Sequence, residues 1–244
     1  MSQQTVYLVT GANRGIGLQI VTQLAANPSN TVYGTARNLA GAADLKALAS
    51  KHSNFKPLEA DVVKPETLKK AAAVVANESG HIDVLLANAG VGDSVSQVKD
   101  LSKDALSYHW EVNTWGSVST YQAFRTLLLT SKQKKLVFVS TLLGSVNDYL
   151  PIPTTAYGAS KASLNYLVRA IASESKEEGL IVLSIHPGLV ATDMSAAIDE
   201  KVNFAKLGIS TITPKESAEG IIAQVEKLTE TDQFLDYTGA VHQW

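Results

Sequence analysis

The chain has 244 residues, 45% of them hydrophobic and 18% charged, with a formal net charge of −2 and no cysteine. This is the balance of a globular protein with a sizeable core, and it gives no global attraction to nucleic acid or to acidic membranes. Disulfides, thiol catalysis and thiolate zinc sites are excluded, no apolar run reaches transmembrane length, and Met1-Ser2-Gln3-Gln4 runs into a strand-like segment with no secretory signal, so the expected location is cytoplasmic.

Short β-branched runs alternate with longer segments of helical period. Thr5-Val6-Tyr7-Leu8-Val9 reads as a buried strand, after which Ile16, Ile20, Val21 and Leu24 mark one face of a helix that stops before Pro28. Residues 31–35 are a second strand and 55–60 a third, and Pro65 opens a helix at a position where its missing N–H costs nothing. Residues 82–87, 136–140 and 180–185 are the fourth, fifth and sixth strands, with Lys132-Gln133-Lys134-Lys135 a solvated turn before the fifth rather than a binding patch. Helices occupy about 114–129 and about 157–178, Pro214 opens a late helix, and Gln233-Phe234-Leu235 is a last edge strand. Alternation over the whole length predicts an α/β protein: a doubly wound parallel sheet of about seven strands with helices on both faces. With no linker and no internal repeat, one domain over 1–244 is the simplest account.

Thr10-Gly11-Ala12-Asn13-Arg14-Gly15-Ile16-Gly17 joins the first strand to the first helix. A glycine-rich turn in that context cradles a phosphate, although the spacing here has a wider first gap than the commonest dinucleotide fingerprint, and a glycine triplet alone is only a tight turn. About 20 residues on, an NAD-preferring site offers a carboxylate to the ribose hydroxyls. Here the second strand ends Thr35-Ala36-Arg37 with none, and Arg37 with Arg14 suits a 2′-phosphate, the alternative being two solvated arginines. The expected coenzyme is therefore NADPH. Asp61, past the third strand, is either an acceptor for the adenine amino group or a helix cap.

Tyr157 and Lys161 stand four apart, on one face of a helix. A free phenol has a pKa near ~10, and an ammonium ~4 Å away at an effective dielectric of ~20 supplies ~4 kcal/mol, about three pKa units. Alone, Tyr-x-x-x-Lys is also the pattern of an amphipathic helix with one aromatic and one exposed lysine. His52, His81, His109, His186 and His242 lack metal-ligand spacing, so no metal is expected, and His186 reads as a packed residue at a strand end. Gly158-Ala159-Ser160 lacks the second glycine and the preceding strand of a nucleophile elbow.

Taken together, these residues resemble the short-chain dehydrogenase/reductase family. The likeness spans essentially the whole chain: the Thr10 to Gly17 turn, Asn88-Ala89-Gly90, Asn113, a hydroxyl ending the fifth strand, Tyr157 with Lys161, and Pro187-Gly188 with Thr192. Six motifs in this order are far more specific than any one of them, and the look is that of fungal carbonyl reductases of the sniffer-like and benzil-reductase-like type. The resemblance implies a Rossmann fold that reduces a ketone or aldehyde with NADPH. It makes Tyr157 the general acid, with Lys161 lowering its pKa and binding the nicotinamide ribose. Asn113 would hold a water joining Lys161 to solvent. Gly11, Asn13, Arg14, Gly15, Ile16 and Gly17 would surround the phosphates, and Arg37, Asp61 and Val62 the adenosine. Asn88, Ala89 and Gly90 would line its ribose and the floor of the site, and Pro187, Gly188, the Val190 backbone and the Thr192 side chain would fix the carboxamide. The chemistry is consistent: a hydride donor on one side of a carbonyl and a phenol donating to its oxygen on the other.

One position departs from the family pattern of two serines after the fifth strand, where the second polarises the carbonyl. Here the pair reads Ser140-Thr141, so Thr141 takes the second place; Ser140 is the reserve and Ser145 a third candidate by spacing. Threonine donates the same hydrogen bond, and strand alternation lets only one of the pair face a substrate. Leu142-Leu143-Gly144, then Asn147-Asp148-Tyr149-Leu150-Pro151-Ile152-Pro153, and beyond Thr192 the residues Met194, Ile198, Val202 and Phe204 would flank an apolar mouth. They suggest a bulky or aromatic carbonyl substrate, or a diketone, against the alternative of simple loop packing. In the family the helices of 114–129 and 157–178 often pair into a symmetric dimer, while some carbonyl-reducing relatives are monomers. The rival from another class is a non-catalytic dinucleotide-binding sensor, against which intact Asn113, Tyr157 and Lys161 argue.

Overall fold

The apolar runs condense into one seven-stranded parallel sheet of order β3-β2-β1-β4-β5-β6-β7. A computed structural model describes residues 4–207 and 210–244; the reading of Met1-Ser2-Gln3-Gln4 as carrying no leader falls, but for its last residue, outside the described residues. In chain order the elements are β1 (Thr5–Val9), α1 (Gly15–Ala25), β2 (Asn30–Ala36), α2 (Ala43–Lys51), β3 (Phe55–Glu59), α3 (Pro65–Glu78) and β4 (Val84–Ala87). There follow α4 (Lys103–His109), a π-helical turn (Trp110–Trp115), α5 (Gly116–Thr130), β5 (Lys135–Val139), α6 (Thr155–Glu174), β6 (Ile181–His186), α7 (Asp193–Val202), α8 (Pro214–Lys227) and β7 (Gln233–Asp236).

Side chains alternate across a strand, and here both faces are dry. Tyr7, Val9, Leu86, Val137 and Ile185 pack with Ile20 of α1, Leu45 of α2 and Ile221 of α8. Their neighbours Val6, Leu8, Leu85, Phe138 and Val182 pack on the other face with Leu68 of α3, Phe124 of α5 and Leu164 of α6. The register sets Leu8 opposite Tyr33 on one side and Leu85 on the other, so a layer of like-facing residues runs through the middle of the sheet. Phe124 and Phe138 are fully buried there, and truncating either to alanine should cost about 3–5 kcal/mol.

The seven predicted strands are all present. Several helices differ from expectation. α6 ends at Glu174 rather than near 178, because Gly179 at φ +72 closes a turn in which its N–H bonds to the Lys176 carbonyl. α5 starts at Gly116, behind the π-helical turn, and α2, α4 and α7 are additions. Of the lysine run, Lys132 to Lys134 precede β5 and Lys135 opens it, and Lys134 and Lys135 are not simply solvated: their ammonium groups donate to the carbonyls of Glu178 and Val225, both at 2.8 Å. Among the described residues no helix is long and apolar enough to cross a membrane.

From β1 the sheet grows outward through β2 and β3, and the chain then returns to lay β4 on the other side of β1. At such a reversal the loops after neighbouring strands diverge and leave a crevice at their carboxyl ends.

Candidate active site

That crevice is a cleft of about 1110 Å³, running from the glycine turn and Arg37 past Tyr157 and Lys161 to Leu150 and Met194. At its inner end the turns that follow β1 and β4 nearly touch. Gly11 has φ +65, and a Cβ there would lie 2.8 Å from the Ala89 Cα; one on Gly17 would run into the Gly11 carbonyl oxygen. Only glycine fits both places. Asn88 fastens the turn, its Nδ2 donating to the carbonyls of Thr10 at 2.9 Å and Gly11 at 3.2 Å, while Thr10 Oγ1 accepts from the N–H groups of Asn88 and Ala89. α1 then begins behind Arg14 with no side-chain cap and no acidic residue in its first turn, so its N–H groups stay open to an anion.

Arg37 is exposed at the end of β2 and has no partner among the described residues. Arg14 reaches Asp193 at 3.8 Å, a surface pair open to solvent on both sides and worth little. Asp61 does not cap α3, whose N-cap residue is Lys64; its Oδ1 accepts from the Val63 N–H at 3.2 Å in a local turn beside the cleft. Val62 is buried against Gly116, where a Cβ would stand 2.7 Å from the Val62 Cγ2.

Tyr157 and Lys161 lie in the first two turns of α6, above the end of β5. Ser140 and Thr141 leave that strand in opposite directions. Ser140 Oγ turns inward and donates to Asn165 Oδ1 at 2.7 Å, an oxygen it shares with Ser184. The Thr141 side chain accepts from the Leu143 N–H at 3.3 Å and faces the Tyr157 phenol, whose pKa it lowers. Ser145 Oγ accepts from the Asp148 N–H and takes no part in the cleft wall.

The electrostatics differ from the reading based on spacing alone. Burial pushes the Tyr157 phenol up to about 12, opposed by Thr141, and brings Lys161 down to about 8. The ammonium donates to the Val139 carbonyl at 2.7 Å and lies 6.0 Å from the centre of the Tyr157 ring. Desolvation therefore sets the direction of the phenol's shift.

Asn113 is fully buried in the π-helical turn. Its Oδ1 accepts from the Val91 N–H at 2.8 Å, and its Nδ2 donates to the Val91 carbonyl and to Ser160 Oγ, both at 2.9 Å. Every side-chain donor and acceptor thus joins the loop after β4 to α6. Gly90 sits beside it, where a Cβ would be 3.0 Å from Asn113 Oδ1 and 3.8 Å from Lys161 Nζ. After β6, Gly188 has φ +85, and Val190 bridges Ile212. The Ser217 hydroxyl donates to the Pro187 carbonyl at 2.7 Å. Thr192 caps α7 in a reciprocal box with Ser195. Asn13, Gly15 and Ile16 also line the cleft. His186 is packed as expected, its Nδ1 buried without a partner and its pKa brought down to about 4 by burial, which Asp236 opposes.

Sequence reasoning missed Gly92, Asn38 and Tyr108. A Cβ on Gly92 would meet Met194 Sδ at 2.9 Å and the Tyr157 ring at 3.3 Å, and Asn38 and Tyr108 line the cleft. Gly92 stands two places after Gly90, the one signal that could have found it. Of the apolar residues expected at the mouth, Leu142, Leu143, Leu150, Ile152, Met194, Ile198 and Phe204 line the cleft, but Tyr149, Pro151, Pro153 and Val202 do not.

Residues 5–203 match the family described as short chain dehydrogenase. The chain belongs to the short-chain dehydrogenase family. This family member is 34% identical to an uncharacterised oxidoreductase of Schizosaccharomyces pombe, with 96% of each chain covered. Among solved structures, it is similar to an NADPH-bound carbonyl reductase from chicken fatty liver, with 31% identity, a TM-score of 0.88, and 99% of this dehydrogenase and 100% of that chain covered. It is also similar to the carbonyl reductase Sniffer of D. melanogaster, with 25% identity, a TM-score of 0.89 and the same coverage. The likeness to sniffer-type proteins read from the motifs therefore holds.

Proposed function

We propose that this chain reduces a bulky, apolar or aromatic ketone or aldehyde with NADPH, and that Tyr157 is the proton donor. The observation that carries the reading is the group at the end of β5: a phenol faced by Thr141, with a buried ammonium behind it, in the wall of one cleft with the glycine turn. The solved relatives that are carbonyl reductases, one of them NADPH-bound, support the choice of reaction and coenzyme.

The residues present suit that coenzyme. The glycine turn leaves room only where a Cβ is missing, α1 offers uncapped N–H groups, and exposed Arg37 with Arg14 suits a 2′-phosphate. When bound, NADPH supplies the hydride.

The protein's own part is positioning and proton transfer. A donor must hold its proton at working pH, and a phenol pushed up to about 12 does. Without substrate the Thr141 hydroxyl faces the phenol; with substrate in place its one proton turns to the carbonyl oxygen, as an oxyanion-type donor does. The phenolate left after donation lies near the Lys161 ammonium, which Val139 holds and which the Asn113 clamp on Val91 and Ser160 borders. The apolar mouth selects against charged substrates, because a buried charge without a partner is costly.

The test is NADPH oxidation across a panel of aryl ketones, diketones, aldehydes and keto acids. Turnover of the apolar members supports the reading. Tight NADPH binding without turnover of any carbonyl overturns it in favour of a dinucleotide-binding sensor.

A further inference from the structure

Residues 145–152 form one rim of the apolar mouth, with Leu150 and Ile152 on the cleft wall and Val146 and Tyr149 exposed. This rim is thinly held. Its hydrogen bonds are almost all internal: Asp148 N–H to Ser145 Oγ, Asn147 Nδ2 to Asp148 Oδ1, and Ile152 N–H to the Leu150 carbonyl. Among the described residues one hydrogen bond ties 145–152 to a distant part of the chain, from the Asn147 N–H to the backbone oxygen of Trp244 at 3.2 Å.

Trp244 is itself fixed by a hook built after β7. Asp236 Oδ1 accepts from the Thr238 N–H at 2.8 Å, the Thr238 hydroxyl at 2.6 Å and the Ala240 N–H at 3.1 Å, and its Oδ2 faces His242 Nε2 at 3.1 Å. Burial raises this carboxyl's pKa, but the bonds from Thr238, His242 and Ala240 outweigh it and hold the group at about 2. Gly239, at φ +96, reverses the chain, and 241–244 run back along β7 with Val241 opposite Leu235 and the His242 N–H on the Phe234 carbonyl at 2.8 Å. The Trp244 ring then stacks on Phe234 at 5.4 Å, and the Arg169 guanidinium of α6 lies 5.5 Å from it. Ring stacking and a cation over the ring favour one position of this short segment, which ends on a stretch that Ser96 pins only at its far flank, on the Pro153 carbonyl at 2.7 Å.

We propose that Trp244 is a positioning residue for the substrate: hooked by Asp236 and stacked on Phe234, it props the rim 145–152 so that Leu150 and Ile152 close over a bulky carbonyl compound. The proposal rests on the reductase reading for its substrate and on the geometry alone for the prop.

The experiment compares wild type, Trp244→Ala and Trp244→Phe by hydrogen–deuterium exchange and by kinetics with an aryl ketone and a small aliphatic ketone. In Trp244→Ala, exchange over 145–152 should quicken about tenfold while β5 and β6 are unchanged. KM for the aryl ketone should rise about tenfold, with KM for the small ketone and the NADPH dissociation constant within about twofold of wild type. Trp244→Phe, which keeps a stacking ring, should restore both. Should Trp244→Ala not fold, His242→Gln loosens the hook and should shift the same readouts by a smaller factor. Unchanged exchange at 145–152 in these variants, equal quickening across the sheet, or an equal KM rise for both ketones would overturn the proposal. If no carbonyl is turned over, the reductase reading falls, while the exchange of 145–152 still decides whether Trp244 holds the rim.

Discussion

Thr141 faces the Tyr157 phenol and lowers its pKa against burial, while Ser140, one residue earlier, is turned away onto Asn165 at 2.7 Å. The two hydroxyls therefore have separable consequences. Thr141→Ala should cost about 100-fold or more in kcat, as loss of one oxyanion-type donor does. Ser140→Ala should keep most of kcat and lose about 0.5–1.5 kcal/mol of stability, because Asn165 Oδ1 loses one of two buried donors and keeps Ser184. Paired kcat and denaturation measurements check this; a crippled Ser140→Ala beside a near-normal Thr141→Ala would reverse the assignment.

Coenzyme choice turns on Arg37. It is exposed at the end of β2 with no partner among the described residues, whereas Arg14 already has Asp193 at 3.8 Å. A charge-assisted bond to phosphate is worth about 1.5–3 kcal/mol, so Arg37→Asp should lower kcat/KM for NADPH about 10- to 100-fold and raise use of NADH. Wild-type protein with equal or better kcat/KM on NADH would contradict the clamp.

Lys161 should leave a mark on the pH dependence of stability. Burial lowers its pKa from 10.5 to about 8, so between those values the unfolded chain binds a proton that the folded chain does not. Stability contributed by this site therefore rises with pH across that window, and below it the full cost of a buried ammonium is present. The phenol acts oppositely and higher, losing stability between 10 and about 12. In coenzyme-free protein, wild type should gain on Lys161→Met as pH rises from about 7 to about 10. A flat difference would mean that the ammonium is not desolvated.

Assembly is open to direct measurement. Trp110, Trp115 and Tyr166, in the π-helical turn and α6, are all exposed in the single chain. A symmetric dimer covering α5 and α6 predicts a sedimentation mass twice 26.0 kDa at micromolar concentration, and a mass of 26.0 kDa itself would rule it out.

What could be read from sequence was what spacing controls. The glycine turn, the strands and the pairing of Tyr157 with Lys161 follow from local periodicity, and the Ser140/Thr141 alternation follows from the pleat. Short helices were less visible. α4 starts behind a Ser102 cap and α7 behind the Thr192 box, but each is brief, and the family motif points Thr192 to the coenzyme rather than to a helix. Contacts between distant segments were invisible: the direction of the Lys161 ammonium depends on the Val139 carbonyl of another element, and the Asn113 clamp depends on a π-helical turn that no apolar period announces. The Asp236 hook likewise needs the fold to bring Asn147 under Trp244.

The central claim is that the Tyr157 phenol delivers the proton, and Tyr157→Phe tests it most directly. The ring and its packing stay while the transferable proton goes. The account predicts that this variant binds NADPH as wild type does, by titration, and loses its ketone-dependent oxidation of NADPH by orders of magnitude. A Tyr157→Phe protein that reduces the same ketone at the wild-type rate would contradict it.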